Sequence, residues 1–255
     1  MSRPIALVTG ARQGLGRGIA LALARSGFDV AGLDLVVDEK AQTLVAELET
    51  LGAKAWFGQM DLADLTRHAS AIDAAETALG PIDALINNAG IAARPLTDIL
   101  NISPEAFDQN LDVNLRGTFF FTQDMAKRMM ARGSDFYRSI TFITSIAASH
   151  VSTDRSPYCV SKAGLSMTAK LYADRLGPQG ISVHEIRPGF IRTEMTGSAP
   201  TDKIDAYIDG GAVPQKRWGE THDIGTVTAS LASGALPYVT GQPIYVDGGF
   251  HIPTA

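Results

Sequence analysis

The chain has one cysteine, Cys159, among its 255 residues. That rules out an intrachain disulfide and fits a reducing compartment. No apolar run comes near the roughly 18 residues a spanning helix needs, so no membrane partner is expected. The opening residues, MSRPIALVTG, lack the long apolar stretch of a secretory signal, and a cytoplasmic location is the expectation. There is no basic excess: 22 lysines and arginines stand against 27 acids, which argues against a nucleic-acid partner. The histidines (His68, His150, His184, His222 and His251) are scattered and, with a single cysteine, form no metal-ligand spacing. No metal is therefore expected. No Pro/Ser-rich linker or shift in composition divides the chain, so residues 1–255 read as one domain.

What is present is apolar content enough to fold: 45% hydrophobic residues with a small net charge exclude a disordered chain. Length alone admits either a (β/α)8 barrel or a doubly wound sheet. Short β-branched runs alternate with longer helical patterns. Strands are predicted at Ile5–Thr9, Asp29–Asp34, Ala55–Met60, Ala84–Asn87, Ile140–Thr144, Ser182–Ile186 and Pro243–Val246. Helices are predicted at Gly16–Ser26, Glu39–Leu51, Leu65–Leu79, Pro104–Ala131 and Pro157–Leu176, with two shorter ones within Thr201–Leu231. Strand then helix, repeated, implies right-handed βαβ units, an α/β fold and a parallel sheet.

The first strand runs into Thr9-Gly10-Ala11-Arg12-Gln13-Gly14-Leu15-Gly16, and a helix follows at once. Gly10 suits a tight turn and Gly14 a close backbone approach to a pyrophosphate. Gly16 suits close packing of helix on strand, and the helix N-terminus favours phosphate charge. The spacing is G-x-x-x-G-x-G rather than G-x-G-x-x-G, and a turn needs glycine anyway; its place between first strand and first helix favours dinucleotide binding over a barrel. Asp34 ends the second strand, where an acid bonds the adenosine ribose; otherwise it is a solvated loop acid or a helix cap. A carboxylate there repels a 2′-phosphate and favours NAD over NADP, whereas Arg12 in the glycine loop is able to pair with that phosphate.

Tyr158 and Lys162 stand four apart at a helix start, on one face. An ammonium beside a phenol lowers its pKa from about 10 and makes tyrosine usable as a general acid/base. An ordinary surface pair has the same spacing. Ser145 closes the fifth strand, at the edge where open α/β sheets bind ligands, although strand-end serines are common in turns. Asn87-Asn88-Ala89-Gly90 follows the fourth strand as a pocket floor or a plain turn. Asn114 lies inside a long helical pattern, where asparagine is a poor choice unless it has another task.

Together these pieces resemble the short-chain dehydrogenase/reductase family. Thr9–Gly16, Asp34, Asp61-Leu62, Asn87–Gly90, Asn114, Ser145, Tyr158 with Lys162, Pro188-Gly189 and Thr193 run in the family's order over nearly the whole chain. So do Pro214–Gly219, Thr240-Gly241-Gln242 and Val246–Gly249. The resemblance implies one Rossmann-type doubly wound sheet of about seven strands with helices on both faces. It also implies an oxidoreductase that interconverts a secondary alcohol and a ketone by hydride transfer. Tyr158 is then the proton donor and acceptor, Lys162 lowers its pKa and holds the nicotinamide ribose, Ser145 polarises the carbonyl, and Asn114 holds a water linking Lys162 to solvent. Gly10, Arg12, Gln13, Gly14, Leu15 and Gly16 contact the pyrophosphate side, and Asp34 the adenosine ribose. Asp61 and Leu62 flank the adenine, with Asp61 also a possible N-cap. Asn88, Ala89 and Gly90 line the ribose side, and Pro188, Gly189, Ile191 and Thr193 hold the carboxamide.

The family's substrate lid corresponds to residues 192–213. Here Met195, Ile204, Tyr207 and Ile208 suit either an apolar substrate wall or the docking of a helix. The body is similar to the 3-oxoacyl-[acyl-carrier-protein] reductase-like branch, with sugar, polyol and steroid alcohols as other substrates and a non-catalytic dinucleotide binder as the remaining alternative. An acidic carrier protein needs a basic docking patch, for which Lys127, Arg128, Arg132 and Arg138 are candidates, or else a plain charged helix end. The family also implies a homotetramer.

Overall fold

Seven parallel strands make one sheet in the order β3-β2-β1-β4-β5-β6-β7. They are β1 (Ile5–Thr9), β2 (Asp29–Asp34), β3 (Ala55–Gln59), β4 (Ala84–Asn87), β5 (Arg138–Ile143), β6 (Ile181–Pro188) and β7 (Pro243–Val246). The computed structural model describes residues 2–194 and 201–253. Of the lid residues, Met195 through Pro200 lie outside them. The eight α-helices of the described residues are α1 (Gly14–Arg25), α2 (Glu39–Thr50), α3 (His68–Leu79), α4 (Pro104–Leu111), α5 (Thr118–Met130), α6 (Ser156–Leu176), α7 (Asp202–Asp209) and α8 (Thr221–Ala232).

Alternation along the strands divides the core in two. In β1, Ile5 and Leu7 face α3, α5 and α6 with Phe121, Met125, Phe142 and Leu165. Ala6 and Val8 face the other side with Ile19, Leu23, Leu44 and Ile224 from α1, α2 and α8. Strand side chains point to opposite faces in turn, so a sheet covered on both sides needs apolar residues on both. The chain order reverses between β1 and β4, and ligands bind outside the strand C-termini at such a switch point.

One long predicted helix, Pro104–Ala131, is instead three pieces. Between α4 and α5 the backbone widens into a π-helix over Asp112–Gly117, with Asn114 fully buried inside it. The Asn114 side chain accepts from the Ile91 N–H (2.7 Å) and donates to the Ile91 carbonyl (2.9 Å). It thereby pairs like a stretch of backbone, and the helix swells by a residue to present it; such bulges concentrate at functional sites. β5 also differs from expectation: it begins at Arg138 and stops at Ile143, leaving Thr144 and Ser145 beyond the sheet edge.

α7 docks near the C-terminal end of β6 through a small apolar cluster of its own, Ile208, Val213 and Trp218, flanked by Phe190, Ile204 and Phe250. Phe190 stacks on Tyr207 (6.2 Å) and meets Phe250 edge-on (4.8 Å). Ile208 is thus a docking residue, while Tyr207 keeps half its surface exposed.

Candidate active site

Gly10 leaves β1 with φ +66°, a conformation that side-chain-bearing residues rarely adopt. The chain then turns sharply enough for the Gly10 N–H to reach the Leu33 carbonyl (2.7 Å) at the end of β2. At Gly16 a methyl group would stand 2.0 Å from the Gly10 carbonyl oxygen, so only glycine lets α1 start this close to the strand. Asn88 ties the turn to β4, its amide donating to the carbonyls of Thr9 (2.9 Å) and Gly10 (3.1 Å). The first turn of α1 has no acidic side chain, so its positive end faces the cleft uncompensated from its own turn.

A cavity of about 350 Å³ extends from this turn in both directions. Toward β2 and β3 it is walled by Asp34, Leu35, Met60, Asp61 and Leu62; toward β5 and α6, by Gly90, Ile91, Val113, Thr144, Tyr158 and Lys162. Gln13, Leu15, Ala89 and Thr193 also line it. Asp34 accepts from the N–H groups of Arg12 (3.2 Å) and Val36 (3.4 Å). The Arg12 side chain turns away from the cavity to a bidentate ion pair with Asp38, which N-caps α2. That pair holds the Asp38 carboxyl at about 2, the guanidinium hydrogen bond being the largest cause. Asp61 caps the next turn by accepting from the Ala63 N–H (2.9 Å), so it both caps and lines the cavity.

At the other end, Ser145 caps a short 3-10 turn, accepting from the Ala147 N–H (3.1 Å). Its hydroxyl is near enough to the Tyr158 phenol to act to lower its pKa. Burial pushes that phenol up from its ordinary value, while Ser145 and Arg155 pull it down. Lys162 donates to the Ile143 carbonyl (3.0 Å) and stands 5.6 Å from the Tyr158 ring centre. Burial brings its ammonium down to about 8. The ammonium is turned to that carbonyl, and desolvation is the largest influence on the phenol in this geometry. Asn114 is bonded to Ile91, Asn110 (3.3 Å) and Ser161 (3.2 Å).

Most predicted cofactor residues therefore meet on one cavity. Arg12, Pro188, Gly189 and Ile191 lie off its walls: Arg12 is held by Asp38, Gly189 by the Val246 carbonyl, and Ile191 is buried beside Gly219. Sequence reasoning missed Leu35, Met60, Val113, Thr144 and Glu194; position just past a strand or just before Asn114 was the available signal. The basic group at α5 is not a free patch. Arg128 pairs with Asp73 (2.6 Å) and Glu76 (3.2 Å), Arg132 is held by Glu76, and Arg138 donates to the carbonyls of Met129, Arg132 and Gln179.

The residues present fit a nicotinamide dinucleotide: a glycine turn at a helix N-terminus takes anionic phosphate, an acid lies at the adenosine end, and a phenol and ammonium at the other. A parallel sheet with this cleft at its switch point defines an oxidoreductase that binds such a cofactor. The comparisons agree. A family model described as enoyl-(acyl carrier protein) reductase matches residues 10–251. The chain is 34% identical over 247 residues (97% of this chain, 98% of the relative) to 3-oxoacyl-[acyl-carrier-protein] reductase FabG of Staphylococcus epidermidis. It superimposes with a TM-score of 0.96, at 46% identity and full coverage of both chains, on a 3-oxoacyl-[acyl-carrier protein] reductase from Brucella melitensis in complex with NAD. A putative 2-deoxy-D-gluconate 3-dehydrogenase from Agrobacterium tumefaciens with bound NADP matches with a TM-score of 0.86 at 32% identity, covering 98% of this chain and 97% of that one. The chain belongs to the short-chain dehydrogenase/reductase family, and it is an oxidoreductase. No helix among the described residues is long and apolar enough to cross a membrane.

Proposed function

We propose that this protein is an NAD-dependent reductase of a ketone to a secondary alcohol, with 3-oxoacyl thioesters as the leading substrate class. The observation that carries the reading is the meeting of Ser145, Tyr158 and Lys162 at the end of β5, two of them on the cavity wall. When bound, the dinucleotide supplies the hydride. Hydride transfer to a ketone builds negative charge on oxygen, so a donor must already be aimed there. Ser145 donates to that oxygen. Tyr158 gives it a proton, and the burial that raises its pKa keeps the phenol protonated at neutral pH, the state reduction needs. Lys162, charged below about 8, is placed to hold the ribose nearest the nicotinamide. Asn114 fixes the loop at Ile91 and, with Ser161, anchors a proton path from Lys162.

NAD is favoured because Asp34 stands in the cavity while Arg12, the one basic residue of the glycine loop, is spent on Asp38. The Staphylococcus and Brucella relatives support the thioester substrate. Since Arg128, Arg132 and Arg138 are consumed internally, the proposal does not route carrier-protein docking through them. The exposed apolar row Phe120, Val160, Met167 and Leu171 on α5 and α6 suits self-association into the expected homotetramer.

Oxidation of NADH and NADPH followed at 340 nm (the band of the reduced nicotinamide) tests this. The panel is 3-oxoacyl-coenzyme A, 3-oxoacyl-carrier protein, cyclic ketones and oxo sugar acids, with polyols and sugar acids assayed in the reverse sense as reduction of NAD and NADP. Turnover of thioesters with NADH above all others is the expected result; selective turnover of a sugar acid would replace the substrate assignment and leave the chemistry standing.

A further inference from the structure

Glu185 sits inside β6 with no exposed surface, and no step above uses it. Its carboxylate accepts from Thr144 Oγ1 (2.8 Å) and Arg187 Nε (2.7 Å) on one oxygen and from Ser166 Oγ (2.9 Å) on the other. Arg187, itself buried, also donates to Ser166 Oγ (2.7 Å), Tyr245 Oη (2.7 Å) and Ser149 Oγ (3.3 Å). The two ends of this network matter. Thr144 is the residue before Ser145. Ser166 lies four residues beyond Lys162 on α6, on the same helix face. One buried carboxylate thus joins the strand end that carries the serine to the helix that carries the tyrosine and lysine.

A buried ion pair is a poor device for stability alone, because desolvating two charges offsets most of their attraction, and an apolar pair of the same volume often does as well. What the charges add is direction. Charge-assisted hydrogen bonds hold Thr144 and Ser166 at set distances and angles, where apolar contacts would let β5 and α6 slide. Reacting groups tolerate little sliding: a misplacement of about 1 Å costs roughly 100-fold in rate. We propose that the Glu185–Arg187 pair is a positioning device that fixes Ser145 against Tyr158 and Lys162 across the β5–α6 boundary. This rests on the reading of those three residues as the reacting set.

The test is the double variant Glu185→Leu/Arg187→Met, which keeps the volume apolar and leaves no unpaired charge. Thermal melting establishes that it folds. NADH binding is read by fluorescence, and kcat, KM and their pH profiles are measured with the best thioester of the panel. The expected result is a fall in kcat of at least about 10-fold with NADH affinity within about two-fold of wild type. The alkaline limb of the kcat profile should move as well, since the environment of Tyr158 and Lys162 changes. A folded double variant with wild-type kcat and an unmoved profile, beside an inactive Tyr158→Phe, overturns the proposal. An active Tyr158→Phe overturns the reacting set itself, and this inference with it. Should the double variant not fold, Ser166→Ala removes only the α6 end of the link. A several-fold loss in kcat with a shifted profile then supports the proposal, and wild-type behaviour refutes it.

Discussion

The two halves of the cleft are built in opposite ways. Around β1, α1 and β2 the surface is backbone: a glycine turn, a helix end, and side chains such as Asn88 that hold the backbone in place. Around β5, α6 and β6 it is side chain: a phenol, an ammonium and a hydroxyl, with Asn114 tied to Ser161 on α6 and Glu185 tied to Thr144 and Ser166. A backbone site fails when atoms are added, and a side-chain site fails when they are removed. That asymmetry can be broken from each side.

The largest effect should come from removing one oxygen. Tyr158→Phe keeps the ring and its packing but takes away the proton donor, and general acid catalysis of this kind contributes roughly 10²- to 10⁴-fold. Turnover should fall by about 10³-fold while NADH fluorescence still reports binding. Retained turnover would show that the proton comes from elsewhere.

On the opposite face of β6 from Glu185 lies His184, buried, with neither ring nitrogen hydrogen-bonded. Burial lowers its pKa from 6.5 to about 4. The unfolded chain takes up a proton as pH falls through 6.5, and the folded chain does not until about 4. Its effect is therefore absent above pH 6.5, and stability is lost between there and about pH 4, to a total of roughly 3 kcal/mol. Urea midpoints across that window should fall more steeply for wild type than for His184→Leu. Parallel slopes would mean that the histidine is protonated in the fold.

Adding atoms tests the other half. Gly16→Ala puts a methyl group 2.0 Å from the Gly10 oxygen, so the turn and the helix must part. Overpacking of this kind costs about 1–3 kcal/mol, or roughly a 5- to 150-fold loss if it falls on cofactor affinity. NADH titration and a melting curve together show where it falls; an alanine variant that binds and melts like wild type would refute the close-packing account.

The asymmetry also explains what was legible in the sequence. Backbone sites are written locally: Gly10, Gly14 and Gly16 lie within one turn, and the strand bounds of β1, β2, β4 and β7 were read correctly. The side-chain half depends on partners distant in the chain. Asn114 stood out as a poor helix residue, but the π-helix it creates needs Ile91, 23 residues away. Arg128 resembled a docking charge because its partner Asp73 lies 55 positions back, on a helix that meets α5 only in the fold. Glu185 lay inside a strand that was legible, but its partners Thr144 and Ser166 are 41 and 19 positions away and come together with it only in the fold. The Tyr158–Lys162 pair was legible only in part for a related reason: spacing put both on one helix face, but not which carbonyl the ammonium would choose.

The smallest predicted effect returns to the adenosine end, where the two designs meet. Asp34 is presented by backbone, yet the NAD preference proposed for it depends on a side chain, because Arg12 is held away from the cavity by Asp38. Asp38→Asn keeps an N-cap residue on α2 and removes the charge that holds the guanidinium. Arg12 is then free to pair with a 2′-phosphate, while Asp34 still repels it, so the preference for NADH over NADPH should narrow only a few-fold. Asp34→Ala alone leaves Arg12 occupied and should narrow it about 10-fold, or roughly 1.4 kcal/mol. The pair of changes should exceed the product of the two, because each removes an obstacle the other leaves in place. Steady-state kcat/KM for both cofactors in the four proteins measures that coupling. Strict additivity would mean that Arg12 does not reach the phosphate, and that Asp34 alone sets the choice.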